Sequence, residues 1–196
     1  MDASVPLWLK LAYTLFLLVL IPVYWKKYGP ANFLWFSDIA LFLVGIALWV
    51  ESRLLVSMVA AGVLGLELFW NVDYFGSLLR GKPWLGLSFY MFDKSKSLFL
   101  RGLSLFHVLL PAIVIWLLFK WGYDVRALYL QTILVWLVLP IVYFFTDPTE
   151  NINWVFGPGS KPQHKIPRQL YFWLLIAFYP VAIILPSHFI LRWIFA

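Results

Sequence analysis

The chain has 196 residues, a formal net charge of +6 and no cysteine; 63% of it is hydrophobic and only 12% is charged. A dispersed globular domain carries roughly 25% charged residues, so the surplus apolar surface must face lipid. The absence of cysteine excludes a disulfide, a thiolate zinc site and a cysteine nucleophile. The basic excess, with no basic stripe on a soluble fold, reads as loop charge facing an anionic leaflet; nucleic-acid binding is the weaker reading, and no nucleic-acid partner is expected.

Six apolar runs approach the length of about 20 residues that a spanning helix needs. They are 7–24, 32–50, 54–71, 103–120, 127–145 and 170–193. The expected fold is therefore all-α, one polytopic membrane domain over residues 1–196 built as a six-helix bundle. Met1-Asp2-Ala3-Ser4 has no basic n-region and no small-residue cleavage site follows, so the first run is expected to stay as a helix. The second and third runs are joined by Glu51-Ser52-Arg53 alone, which predicts a tight antiparallel hairpin. Ala61 and Gly65 in the third form a small-xxx-small face expected to act as a packing seam. Between the third and fourth runs, 73–102 is too apolar and aromatic for a free loop and predicts an interfacial amphipathic stretch. Between the fifth and sixth, 146–169 is rich in Pro, Gly and Asn and predicts irregular backbone packed on protein.

Ten of the fifteen Lys and Arg fall in or beside the first, third and fifth loops, and five at the opposite end. The positive-inside rule then places those three loops in the cytoplasm and both termini on the other side.

Polar residues inside these runs are few: Ser37, Asp38 and Glu51 on the second, Glu67 and Asn71 on the third, Ser104 and His107 on the fourth, Gln131 and Tyr143 on the fifth. Ser37 and His107 lie at matching depth, roughly 6–8 Å below the ends of their runs, near the level of acyl ester bonds. An intramembrane carboxylate such as Asp38 needs a partner or a wet cavity. A serine beside a histidine has the residue types of nucleophile and general base, and Asp38, Asn71 or Asp73 is placed to orient the imidazole. Asn151, Asn153 and backbone amides near Gly157 are candidate oxyanion donors. The loop from Asn151 to Pro158, with Trp154, is expected to roof a pocket over helices two to four. Each residue also has a packing role open to it: Ser37 as glue between helices, Asp38 in an ion pair with a loop cation, His107 as a hydrogen-bonding packing group. His107, His164 and His188 are spread too widely to resemble a metal site, and no phosphate-binding glycine motif occurs, so neither a metal nor another cofactor is expected.

Four segments resemble one family in order and in helix count. "NFLWFSDIAL" (32–41), "LFWNVDYF" (68–75), "SLFHVLLPAI" (104–113) and "NWVFGP" (153–158) are similar to segments of the six-helix androgen-induced and androgen-dependent transmembrane proteins, membrane hydrolases of fatty-acid esters of hydroxy fatty acids. The resemblance implies His107 as the catalytic histidine. The family's nucleophilic threonine falls on Trp35, which cannot attack, and the histidine-to-proline spacing is one residue shorter. A second group, six-helix cysteine-dependent phospholipid acyltransferases, has a cysteine-aspartate pair where Ser37-Asp38 stands, which implies Ser37 as the nucleophile. The expectation is an intramembrane acyl-ester hydrolase or acyltransferase with membrane lipids and an acyl-chain substrate as partners. The rival expectation is a transporter, a lipid-binding protein or a structural subunit, alone, as a homo-oligomer or beside another membrane protein.

Overall fold

A computed structural model describes residues 4–159 and 161–195. Met1, Asp2 and Ala3, on which the reading against a cleaved leader rests, lie outside the described residues. The described chain is all-α, with no strand among the described residues. Its main helices are α1 (Leu7–Tyr28), α2 (Phe36–Val50), α3 (Arg53–Arg80), α4 (Leu98–Trp121), α5 (Ala127–Phe145) and α6 (Arg168–Phe195). Five of these, all but α2, are long and apolar enough to cross a membrane; α2 is apolar but has 15 residues.

Several helix boundaries differ from the hydropathy reading. Residues Pro30–Leu34 form a 3-10 turn and Trp35 is extended, so α2 starts at Phe36 and not at Asn32. Helix α3 runs nine residues beyond Asn71, because Asp73 and Ser77 turn inward and are buried under the following loop while Leu78 and Leu79 face out. The stretch expected to be one interfacial element from Asp73 to Gly102 is thus divided. Its first eight residues belong to α3, its last five open α4, and a loop lies between. Helix α4 starts at Leu98 and is interrupted by a turn at Ser104-Leu105 before it resumes at Phe106.

The loop after α3 is organised by one buried carboxylate. Asp73 accepts from the backbone N–H of Leu85 (2.6 Å), the N–H and hydroxyl of Ser88 (2.7 and 2.8 Å) and the hydroxyl of Ser77 (3.4 Å). Trp84 then packs on Gly76, where a Cβ would clash with its ring.

Two helices each contain a π-turn, Ala60–Leu64 in α3 and Tyr179–Ile184 in α6, a feature that frees backbone groups. They are joined, since the Tyr179 hydroxyl donates to the Gly62 carbonyl at 3.0 Å. Pro180 has no N–H for the Ile176 carbonyl one turn back, and Trp136 Nε1 on α5 donates to that carbonyl at 3.2 Å. Close approach in α3 falls on Gly62, where a Cβ would clash with the Gln131 side chain, and not on the expected Gly65, which is exposed with nothing within 4 Å.

The ends of the helices gather into two groups. At one end Glu51 accepts from the Val5 N–H and Lys10, Arg53 reaches Asp124 at 3.9 Å, Ser57 accepts from the Asp124 N–H, and the Phe195 carbonyl accepts from the Tyr123 N–H. Both described termini, the α2–α3 turn and the α4–α5 turn therefore meet there. At the other end Asn153 binds the start of α2, and Lys96 lies over the ring of Tyr28, so the remaining three connections meet. The hairpin expected of α2 and α3 is present: Glu51 closes α2 in the left-handed region and Ser52 Oγ caps α3 by accepting from Leu55 N–H.

Candidate functional site

The site grows from the proline in "SLFHVLLPAI". Pro111 is four residues after His107, so it cannot supply the N–H that the His107 carbonyl would take in an unbroken helix. Asn71 of α3 supplies it instead: Nδ2 donates to the His107 carbonyl at 2.6 Å and to the Glu67 carbonyl at 2.8 Å. That clamp fixes α3 against α4 at one height. Glu67 lies one turn before Asn71 on the same face of α3, and its Oε2 is 2.8 Å from His107 Nδ1. Both side chains of the pair are deeply buried, 13% exposed for His107 and 5% for Glu67. The imidazole stacks between Trp70 (4.6 Å between centroids) and Phe106 (4.1 Å).

Around this pair stand three more polar groups. Tyr24 of α1 and Ser104 of α4 share a hydrogen bond of 2.8 Å. Asp38 of α2 is buried beside His107 and Glu67, close enough for their charges to act on it, and its Oδ1 has no hydrogen-bond partner among the described residues. Two carboxylates and one imidazole thus share one buried cluster. A buried charge without a partner is costly. Among the described residues no group of three His, Cys, Asp or Glu is placed to hold a metal ion.

Of the residues singled out by sequence, the structure brings His107, Asp38 and Asn71 to this cluster. Ser37 is half-buried one position before Asp38, and no hydrogen bond joins it to His107. Asp73 serves the α3–α4 loop, as described above; the imidazole is oriented by Glu67. Asn153 sits at the N-terminus of α2, accepting from the Phe36 N–H at 2.9 Å and donating to the Leu34 carbonyl at 2.7 Å. Asn151 ties its own loop, accepting from Phe156 N–H and donating to the Gly157 and Gly159 carbonyls. The Trp154 carbonyl accepts from Tyr171. This loop therefore folds back on the 3-10 turn before α2 and on α5. A shallow cleft of about 190 Å³ lined by Tyr28, Asn32, Trp35, Glu150 and Ile152 lies there.

Sequence reasoning named Glu67 among the intramembrane polar residues but gave it no role, and it did not name Trp70 or Tyr24. The signal for Glu67 was its spacing. A carboxylate and an amide four residues apart share one helix face, and a carboxylate inside an apolar run requires a partner. His188 has a separate partner, the hydroxyl of Tyr123 at 2.9 Å, at the opposite end of the bundle. Compared with protein-family profiles, curated proteins and solved structures, the chain matches none.

Proposed function

We propose that the chain is a multi-pass membrane protein in which all six helices cross the bilayer, and that Glu67–His107 is the acid–base centre of an enzyme acting on a lipid acyl ester. The single observation that carries this reading is the buried 2.8 Å contact between Glu67 Oε2 and His107 Nδ1. A carboxylate on Nδ1 sets the proton there and leaves Nε2 as the base, which is how an orienting acid serves a catalytic histidine. His107 Nε2 takes the proton of the attacking hydroxyl as its oxygen bonds to the ester carbonyl carbon. When the ester C–O bond breaks, Nε2–H gives that proton to the leaving alcohol. Ser37 is the proposed nucleophile, because it is half-buried and adjoins Asp38 on α2. Asn71 positions His107 through its carbonyl.

Helix α2 fits a spanning role only with its preceding turn. Fifteen α-helical residues rise about 22 Å and a five-residue 3-10 turn adds about 10 Å, close to the hydrocarbon thickness of about 30 Å. The Lys and Arg of the first, third and fifth loops put that end in the cytoplasm.

The test is turnover of fluorogenic acyl esters and labelled phospholipids by purified protein, with fluorophosphonate labelling in parallel. The expected result is activity and labelling that vanish in Ser37→Ala and in His107→Gln while both variants keep their melting temperature within a few degrees. Turnover retained in His107→Gln overturns the reading. A second reading, a proton-coupled carrier, is favoured by the unpartnered Asp38 oxygen and by the two π-turns. Acidification of liposomes holding the protein, lost in Asp38→Asn, with no esterase activity in the parent protein, would select it.

A further inference from the structure

At the end of the bundle that gathers both described termini, a cleft of about 230 Å³ opens between the start of α5 and the last turns of α6, lined by Val125, Leu128, Tyr129, His188 and Arg192. Its base is polar and its walls are apolar. His188 is 5% exposed, and one ring nitrogen, Nδ1, is 2.9 Å from the Tyr123 hydroxyl. When that hydroxyl donates to Nδ1, the proton of the imidazole is on Nε2, which becomes a donor. Arg192 lines the same cleft, exposed and without a hydrogen-bond or ion-pair partner among the described residues. Asp124, next to Tyr123 in the chain, is already matched by Arg126 at 2.7 Å and Arg53 at 3.9 Å. Among the described residues the cleft thus offers one uncommitted guanidinium and one imidazole, with no uncommitted carboxylate against them.

We propose that this cleft binds the phosphate of an anionic phospholipid, with Arg192 and His188 Nε2–H as its donors. Guanidinium groups suit phosphate because two parallel N–H groups match two oxygens. The walls favour a lipid over a free anion. Tyr129 is 70% exposed at the mouth and Trp193, beside Arg192, is 86% exposed, as aromatic side chains are at a bilayer interface. One and two turns along α5, Ile133 and Leu137 are exposed, and Leu185 and Phe189 are exposed on α6. An acyl chain attached to a phosphate in the cleft has apolar surface to follow away from the polar end. The site depends on the helices lying in a bilayer and is independent of the chemistry at Glu67 and His107.

The experiment is lipid retention by the detergent-purified chain, read by native mass spectrometry together with melting temperature. Phosphatidylglycerol, phosphatidylcholine and inorganic phosphate are the three probes. Phosphatidylglycerol should be retained and raise the melting temperature, and the other two should do so weakly. Arg192→Gln should weaken phosphatidylglycerol binding about tenfold, the size of one charge-assisted hydrogen bond, and Arg192→Lys should recover part of it. Leu128→Trp fills the cleft while leaving every charge in place, and should weaken binding as much. Lys82→Gln, at the other end, should change nothing. Unchanged binding in both Arg192→Gln and Leu128→Trp overturns the proposal, and so does an equal loss in Lys82→Gln, which would mean bulk charge. Equal protection by inorganic phosphate would make this a free-anion site and overturn the lipid assignment.

Discussion

Asn71 spends its amide on two carbonyls of two helices, and the second of them is free only because Pro111 follows it by four residues. The pair makes a testable coupling. Asn71→Ala should destabilise the protein by about 1–3 kcal/mol, the cost of leaving a buried carbonyl unpaired. Pro111→Ala restores an N–H to α4, so adding it to Asn71→Ala should recover part of the loss. A double-mutant cycle on unfolding in detergent measures this, and strictly additive effects would separate the two residues. Sequence made His107 visible through the rule that an ionisable group in an apolar run needs a reason, and it made Asp38 visible the same way. It did not pair His107 with Glu67, because which faces of two helices meet depends on rotation about their axes. The residues that set that rotation here are a proline and an asparagine 40 positions apart in the chain. Nor did it separate Asp73 from the site. A carboxylate that satisfies four donors of a loop reads in sequence like one that faces a substrate.

Helix α2 begins without a cap of its own. Trp35 precedes it and offers no side-chain acceptor, yet Phe36 N–H is satisfied by Asn153 from a loop 117 residues later. An N-cap side chain is worth about 0.5–2 kcal/mol, and this one also holds the Leu34 carbonyl. Asn153→Ala should therefore lower stability by about 1–2 kcal/mol and expose the amides at the start of α2 to hydrogen exchange, while Asn153→Asp should keep the bond to Phe36 and lose the one to Leu34. Exchange at 34–38 unchanged in Asn153→Ala would show that the loop is not a cap. Element existence was legible in the hydropathy of the chain: five of the apolar runs fall on helices long and apolar enough to cross a membrane, and the second falls on a shorter apolar helix. Element ends were not. Helix α3 continues past its apolar run because inward-facing Asp73 and Ser77 have partners, and a run-length criterion does not see partners. The π-turns were equally hidden: nothing in the composition of Ala60–Leu64 distinguishes a π-turn from α-helix, and only the Tyr179 hydroxyl on the Gly62 carbonyl gives it a reason.

At the scale of the molecule, two sets of contacts tie alternate helix ends together, and each set has its own sensitivity. The Arg126 guanidinium bonded to Asp124, aided by the Arg126 N–H and by Arg53, holds the Asp124 carboxyl below the usual carboxylate range against the opposing effect of burial. A depressed folded value means that this contribution is fully present above the unfolded pKa, near 4, and is lost as pH falls through the folded one. The melting temperature of the parent should fall below about pH 4 more steeply than that of Asp124→Asn, and parallel curves would remove the clamp. The same contacts bear on how many times the chain crosses the bilayer. Val5 bonded to Glu51, Arg53 near Asp124 and Tyr123 bonded to Phe195 bring both described termini to one end, which an even number of crossings requires. If α2 with its 3-10 turn did not cross, the loop after α1 and the turn after α2 would share a side and the two termini would be separated. Because the chain has no cysteine, single introduced cysteines report their side without a background. Lys27→Cys, Lys82→Cys and Lys161→Cys should be blocked by a membrane-impermeant maleimide only when the cytoplasmic face is opened. Arg126→Cys and Ser52→Cys should be blocked in sealed cells from outside. Labelling of Ser52→Cys on the same side as Lys27→Cys would mean that α2 lies along the surface. Asp38 could then not face His107 inside the bilayer, and the acid–base reading of the site would fall with the six-span topology.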